Sequence, residues 1–185
     1  MVWYKEAKKE VHTGVMVALM ISQDIAKKLI LTKEDIPDKD AKLEPAEELH
    51  ITLSYLGKIG EDIKESSKDQ LFKCVEEFAK SHKLIKGSIG EVGMFCGSEE
   101  NGDSALYASF DSGDGDLPNF RQQLVEVIDK IDGIEVFKNH GFTPHITLAY
   151  LKSKTMPEIV IPSIKVKFDK ISIAWGGEVE HFKLG

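Results

Sequence analysis

The heptapeptide His50-Ile51-Thr52-Leu53-Ser54-Tyr55-Leu56 returns as His145-Ile146-Thr147-Leu148-Ala149-Tyr150-Leu151. Six of seven positions are identical, and positions 50 and 145 lie 95 residues apart, about half of the 185-residue chain. One recurrence at half-length is not the short period of a solenoid; it places one copy in each half of a fold. Both copies alternate polar and apolar residues and are rich in β-branched and aromatic side chains, so both read as strands. Side chains two apart on a strand share a face. His50 therefore points with Thr52, and His145 with Thr147. Ile51, Leu53 and Tyr55 point the other way, with Ile146, Leu148 and Tyr150 in the second copy. Alternation thus predicts both tyrosines in the core. A lysine follows each copy, Lys58 and Lys152.

The rest of the chain alternates strand and helix signals. Residues 13–21 form a β-type run, and Ser22 is placed to cap a helix carrying Ile25, Leu29 and Ile30. Residues 32–47 contain Pro37 and Pro45 and read as a loop. The first copy sits in a strand over 48–57, stopped by Gly57. Leu71, Cys74, Val75 and Phe78 have helical spacing within a predicted helix over 61–81. Strands over 84–96 and 104–111 flank a turn-type SEENGD. Asp116 before Leu117-Pro118 opens a helix over 118–131. A short strand near 134–138 precedes the second copy at 145–152. Segments 158–168, 170–175 and 178–184 close the chain as strands. This order predicts an α+β fold without a linker.

Charge and composition limit what such a fold can do. A composition of 42% hydrophobic and 30% charged residues is globular rather than disordered. The net charge of −7 argues against gripping long nucleic acid, which takes many cations, but not against a small anion in a locally basic cleft. Cys74 and Cys96 form no CxxC and read as reduced thiols. The first residues carry no signal-peptide core, and the apolar run Val15–Ile21 is too short to span a bilayer. A cytoplasmic location is expected.

Two His/Thr strands brought together suit phosphate chemistry. One neutral and one protonated imidazole can act as general base and general acid on opposite sides of a phosphate. Each threonine hydroxyl can donate to a nonbridging oxygen where charge accumulates. No HxH, HExxH or clustered carboxylates flank either copy, so neither a metal nor a cofactor is expected. A single histidine in a strand is usually structural; two copies with matched flanks favour a site over that bland reading.

At His50-Ile51-Thr52-Leu53 and His145-Ile146-Thr147-Leu148 the sequence resembles the 2H (two-histidine) phosphoesterase superfamily, with its 2′-5′ RNA ligase-like and cyclic phosphodiesterase members. The similarity runs from the opening strand TGVMVAL to the closing strands. The lead-ins LEPAEELHITLSYLG and GFTPHITLAY are similar to phage-encoded members. The resemblance implies one domain over 1–185, built of two pseudo-two-fold lobes, with two antiparallel sheets lining a central cleft and helices outside. It implies metal-independent cleavage of small cyclic or 2′-5′-linked nucleotides, with nucleotide second messengers of antiviral immunity among the candidates. His50 and His145 would be the acid/base pair, and Thr52 and Thr147 the phosphate ligands. Processing of RNA 2′,3′-cyclic phosphates or 2′-5′ ligation is the alternative, marked by a basic track leaving the cleft. A nucleotide-binding sponge without turnover is a further one.

Base contacts call for aromatic stacking. Phe142, three residues before the second copy, and Trp175, beside Gly176-Gly177, are the candidates for substrate binding. Trp3 and Tyr4 are placed to close over a site. Each of these has core or surface packing as its bland reading, as Lys58 and Lys152 have plain solvent exposure. His12, His82, His140 and His181 lack the motif context and read as structural or surface. DSGDGD lacks calcium-loop spacing.

Overall fold

Both copies of the heptapeptide are strands, and they are neighbours at the middle of one sheet. The computed structural model describes residues 13–98, 102–113, 116–136 and 141–185. In chain order the elements are β1 (Gly14–Met20), α1 (Gln23–Leu29), β2 (Lys42–Leu43), β3 (His50–Lys58), α2 (Lys68–Lys80), β4 (Ile85–Phe95) and β5 (Ser104–Asp111). Then follow α3 (Leu117–Ile128), β6 (His145–Leu151), β7 (Ile164–Phe168), β8 (Lys170–Trp175) and β9 (Glu178–Lys183). The strand order is β7-β4-β5-β6-β3-β1-β8-β9, with β2 paired to β6. Every pairing between these strands is antiparallel. The fold is the expected α+β type, a curled antiparallel sheet with three helices. Its two four-stranded halves meet along β3 and β6, where one pair, Ile51 with Ile146, joins them into a continuous order.

The helices cover one face of this sheet. Helix α2 buries Leu71, Val75, Phe78 and Ala79, and α3 buries Leu117, Phe120, Leu124, Val125 and Ile128. These spacings of three and four residues make one apolar stripe per helix. The Asp116 carboxylate accepts the Asn119 N–H at 3.1 Å and caps α3, and Pro118 occupies its first turn as expected. Against the stripes pack Val15, Val17, Leu19, Ile51, Leu53, Ile146, Leu148, Ile171 and Ile173. Each such side chain contributes about 1.5–3 kcal/mol on burial. The opposite face of β3 and β6 carries the histidines and threonines.

Local chemistry overrides the sequence pattern in four places. The helix expected over 61–81 starts only at Lys68, after a 3-10 turn at Glu65–Ser67. Gly57 adopts φ 105°, and Asp62 Oδ2 accepts the Lys58 N–H at 2.9 Å, so this stretch folds back on the end of β3. A Cβ at Gly57 would collide with Asp62 Cβ. The strand expected over 158–168 begins at Ile164, since Pro162 has no N–H for a ladder. No strand forms at 134–136, although Ile134 and Val136 are buried in the core. Conversely β2 lies within the expected loop 32–47.

Candidate active site

The antiparallel pairing of Ile51 with Ile146 sets the site. Continuing that register one residue either way puts His50 across from Thr147 and Thr52 across from His145. Each imidazole thus faces the other copy's hydroxyl about a local two-fold. His50 Nδ1 lies 2.6 Å from the Glu48 carbonyl and His145 Nδ1 lies 2.7 Å from the Thr143 carbonyl. A carbonyl only accepts, so each Nδ1 carries a proton and donates it. Both rings are held by the carbonyl two residues earlier, and neither Nε2 has a hydrogen bond among the described residues. Such an anchor selects the tautomer and the ring plane.

Strand alternation does not persist through either copy. Thr52 pairs with Ala18 and Ser54 with Val17, so β3 carries an extra residue between them. Thr147 pairs with Tyr107 and Ala149 with Leu106, an extra residue at the matching place in β6. A bulge turns the following side chains to the other face. Leu53 and Ser54 are consequently both buried, as are Leu148 and Ala149. Tyr55 and Tyr150, expected in the core, emerge at 48% and 39% exposure on the histidine side. Burial, then the Glu44 carboxylate, raises the Tyr150 pKa above its ordinary value, while the Thr147 side chain acts to lower it. Burial also raises the pKa of Glu44, with Glu48 adding to it.

An aromatic wall stands beside His145. Strand β4 has its own irregularity between Gly90 and Val92, where Glu91 takes φ 46°. Past it, Gly93 faces Tyr107, and a Cβ there would meet the ring at 2.5 Å. Glycine lets the Tyr107 ring lie across β4. Phe95 stacks on that ring at 4.3 Å, and both rings set an edge against His145, at 4.9 Å from Phe95 and 5.3 Å from Tyr107.

On one side of the Ile51–Ile146 pair the strands diverge, and α3 supplies a cation. Arg121 Nε donates to the Leu53 carbonyl at 2.8 Å, taking the place of a strand partner. Its guanidinium lies 4.8 Å from the Phe142 ring centroid, and burial lowers its pKa. The resulting cavity of about 510 Å³ is lined by Thr52, Tyr55, Phe95, Arg121, Phe142 and His145, while His50 and Thr147 lie outside its lining. That is room for a nucleotide-sized ligand. Phe142 lines this cavity with His145 and packs, partly buried, against the core.

Trp175 is a correction. It is 3% exposed on the helix side of β8, edge-on to Phe72 of α2 at 6.2 Å, with Lys68 Nζ 5.7 Å above it. Its parity follows Ile171 and Ile173, which face the core. Lys58 and Lys152 spend their charge on carboxylates, Glu61 at 3.4 Å and Asp103 at 2.5 Å. His82 stacks on Phe78 at 3.8 Å and His181 bonds Ser172 at 2.8 Å, both packing roles. Trp3, Tyr4, His12 and His140 lie outside the described residues. Phe95, Tyr107 and Arg121 carry no motif, and Tyr55 and Tyr150 belong to the repeat but have the strand parity of its core residues. The one signal for Arg121 is that it is the only arginine among 24 basic residues. Among the described residues no three His, Cys, Asp or Glu side chains gather into a metal-binding group, and no helix is long and apolar enough to cross a membrane.

A curled antiparallel sheet carrying two anchored imidazoles, each across from a threonine, has the architecture of the two-histidine phosphoesterases, enzymes acting on phosphoesters. The chain belongs to the 2′-5′ RNA ligase superfamily, whose family model matches residues 31–180. Escherichia coli LigT complexed with 3′-AMP superposes with a TM-score of 0.66 at 15% identity, covering 94% of this chain and 95% of that one. TT0787 of Thermus thermophilus gives 0.63 at 16% identity, covering 93% and 95%. The MHV ns2 PDE domain gives 0.63 at 14% identity, covering 87% and 98%.

Proposed function

We propose that this chain is a metal-independent phosphodiesterase for small cyclic or 2′-5′-linked nucleotides, with His50 and His145 as the acid/base pair. The observation carrying this is the matched anchoring of the two rings: both Nδ1 atoms are held by backbone carbonyls. Each Nε2 is left to move a proton. In hydrolysis, one Nε2 takes a proton from water as its oxygen forms the new bond to phosphorus. The other Nε2 gives a proton to the ribose oxygen as the old phosphorus–oxygen bond breaks. Where the nucleophile is a neighbouring 2′-OH, the same pair serves, and deoxyribose substrates are spared. Thr52 and Thr147 donate to the nonbridging oxygens, and each general catalyst supplies about 10²–10⁴-fold. The Phe95–Tyr107 wall and the Phe142 ring offer π faces to a base. Complexes of E. coli LigT with 3′-AMP, ATP and NADP+ support a nucleotide as ligand. Signalling nucleotides of antiviral defence fall within the proposed class.

The test is a mass-spectrometric screen in EDTA against cyclic nucleotides, 2′-5′ oligoadenylates and 2′,3′-cyclic-ended RNA, with His50→Ala and His145→Ala alongside. Product in EDTA that disappears in both variants is expected. Turnover that EDTA abolishes defeats the metal-free mechanism, and turnover that survives both substitutions defeats the site. Tight binding without product makes the protein a nucleotide sponge.

A further inference from the structure

We propose that Lys86, Lys165 and Lys167 form a second anion-binding site for the backbone of a short oligonucleotide. The reacting phosphate of that oligonucleotide lies at the two histidines, so the inference rests on the proposed function for its orientation. The register places the lysines. Ser109 is opposite His145, Gly90 opposite Ser109, and Ser88 opposite Asp111. Lys165 is opposite Ser88, and Lys167 opposite Lys86. Ile85, Ile89, Phe110, Val166 and Phe168 belong to the helix-side core. The alternate positions, the lysines included, therefore lie on the sheet face that bears His145.

Three features make this strip a site rather than a scatter of surface charge. All three lysines are exposed, and none is in an ion pair among the described residues. Lys86 and Lys167 are direct cross-strand partners, an arrangement of like charges that weakens a sheet unless an anion relieves it. The ground between them and His145 is Ser109, Gly90 and Ser88, side chains too small to block a strand laid across it. Asp111, the acidic residue on this ground, accepts the Gly113 N–H at 2.8 Å. Protection of a sheet edge explains lysines on the terminal strand β7 but not Lys86 on β4. Three strand spacings separate β6 from β7, about 14 Å. A mononucleotide whose phosphate is at the histidines does not reach that far, whereas an oligonucleotide does. In a chain of net charge −7 a local cationic strip is needed to hold a second phosphate.

The experiment reads binding, so it stands apart from turnover. Fluorescein-labelled oligoadenylate hexamer with a 3′-phosphate is titrated by anisotropy from 50 to 200 mM salt, with 3′-AMP as competitor for comparison. In the triple variant K86Q/K165Q/K167Q the hexamer's advantage over 3′-AMP should shrink about tenfold, and its log–log salt slope by about 2, some 0.7 per lost contact. The equally charged control K27Q/K28Q/K39Q should keep both. The arginine variant K86R/K165R/K167R should restore them. An unchanged advantage in the glutamine variant, or an equal loss in the control, overturns the site. Binding that follows the lysines supports this site whether or not the turnover screen yields product, and a screen without product defeats the proposed activity alone.

Discussion

Ile51 and Ile146 are paired in antiparallel register, and both are wholly buried. On one side of this pair β2 closes against β6, pairing Lys42 with Tyr150 and Leu43 with Ala149. On the other the strands part, and Arg121 binds the Leu53 carbonyl. The distance between the two imidazoles therefore depends on the packing of two isoleucines from opposite halves of the sheet.

Truncating that pair should loosen the site as well as the fold. Ile51→Ala is expected to cost about 2–5 kcal/mol by urea unfolding, and Ile51→Val about 0.5–1.5. If the proposed activity holds, kcat falls more than KM rises in Ile51→Val. A valine variant with lowered stability and unaltered kcat would separate the seam from the chemistry.

The tyrosines distinguish the bulged strands from regular ones. Tyr55→Ser should change unfolding free energy by about 1 kcal/mol, against the roughly 3–5 kcal/mol that losing a core ring costs. Tyr150→Phe removes the hydroxyl on which the Thr147 side chain acts. Its kcat should drop about tenfold, less than the about 10²–10³ expected for Thr147→Val. The comparison needs only steady-state kinetics on the best substrate from the screen.

Ser54 differs from its counterpart Ala149 by one hydroxyl, and its Oγ is buried without a hydrogen-bond partner among the described residues. An unsatisfied buried group costs about 1–3 kcal/mol. Ser54→Ala should raise the unfolding free energy by about 1 kcal/mol. A drop in stability would reveal a partner for that oxygen.

Glu44 ties stability to pH. Its pKa is raised above the ordinary 4.5, first by burial and then by Glu48. The fold thus holds the proton more tightly than the unfolded chain does. The stability this contributes is fully present below pH 4.5 and is lost as pH rises through the folded value. Glu44→Gln should match the parent protein near pH 4 and exceed it increasingly towards pH 7. Parallel stability curves for the two proteins over that range would show that Glu44 titrates normally.

Strand periodicity and helical stripes make the α2 and α3 cores, the β4–β5 hairpin and the face shared by each His/Thr pair legible in advance. The same periodicity misplaces Tyr55 and Tyr150, because an inserted residue in each strand leaves no mark in composition. Trp175 escapes the pattern for a related reason. A residue beside two glycines at a strand end can face either way, and β8 turns it towards Phe72.

The repeat by itself determined that two histidines and two threonines would share a kind of position, since i and i+2 share a face wherever a strand is regular. Which side chains surround them was decided only when β3 met β6. Bulges there, the φ 46° of Glu91 and a Leu53 carbonyl bound by Arg121 instead of a strand are consequences of packing. They drew Tyr55, Phe95 and the only arginine to the cavity beside His145, and left Tyr150 on the β2 side of the isoleucine pair.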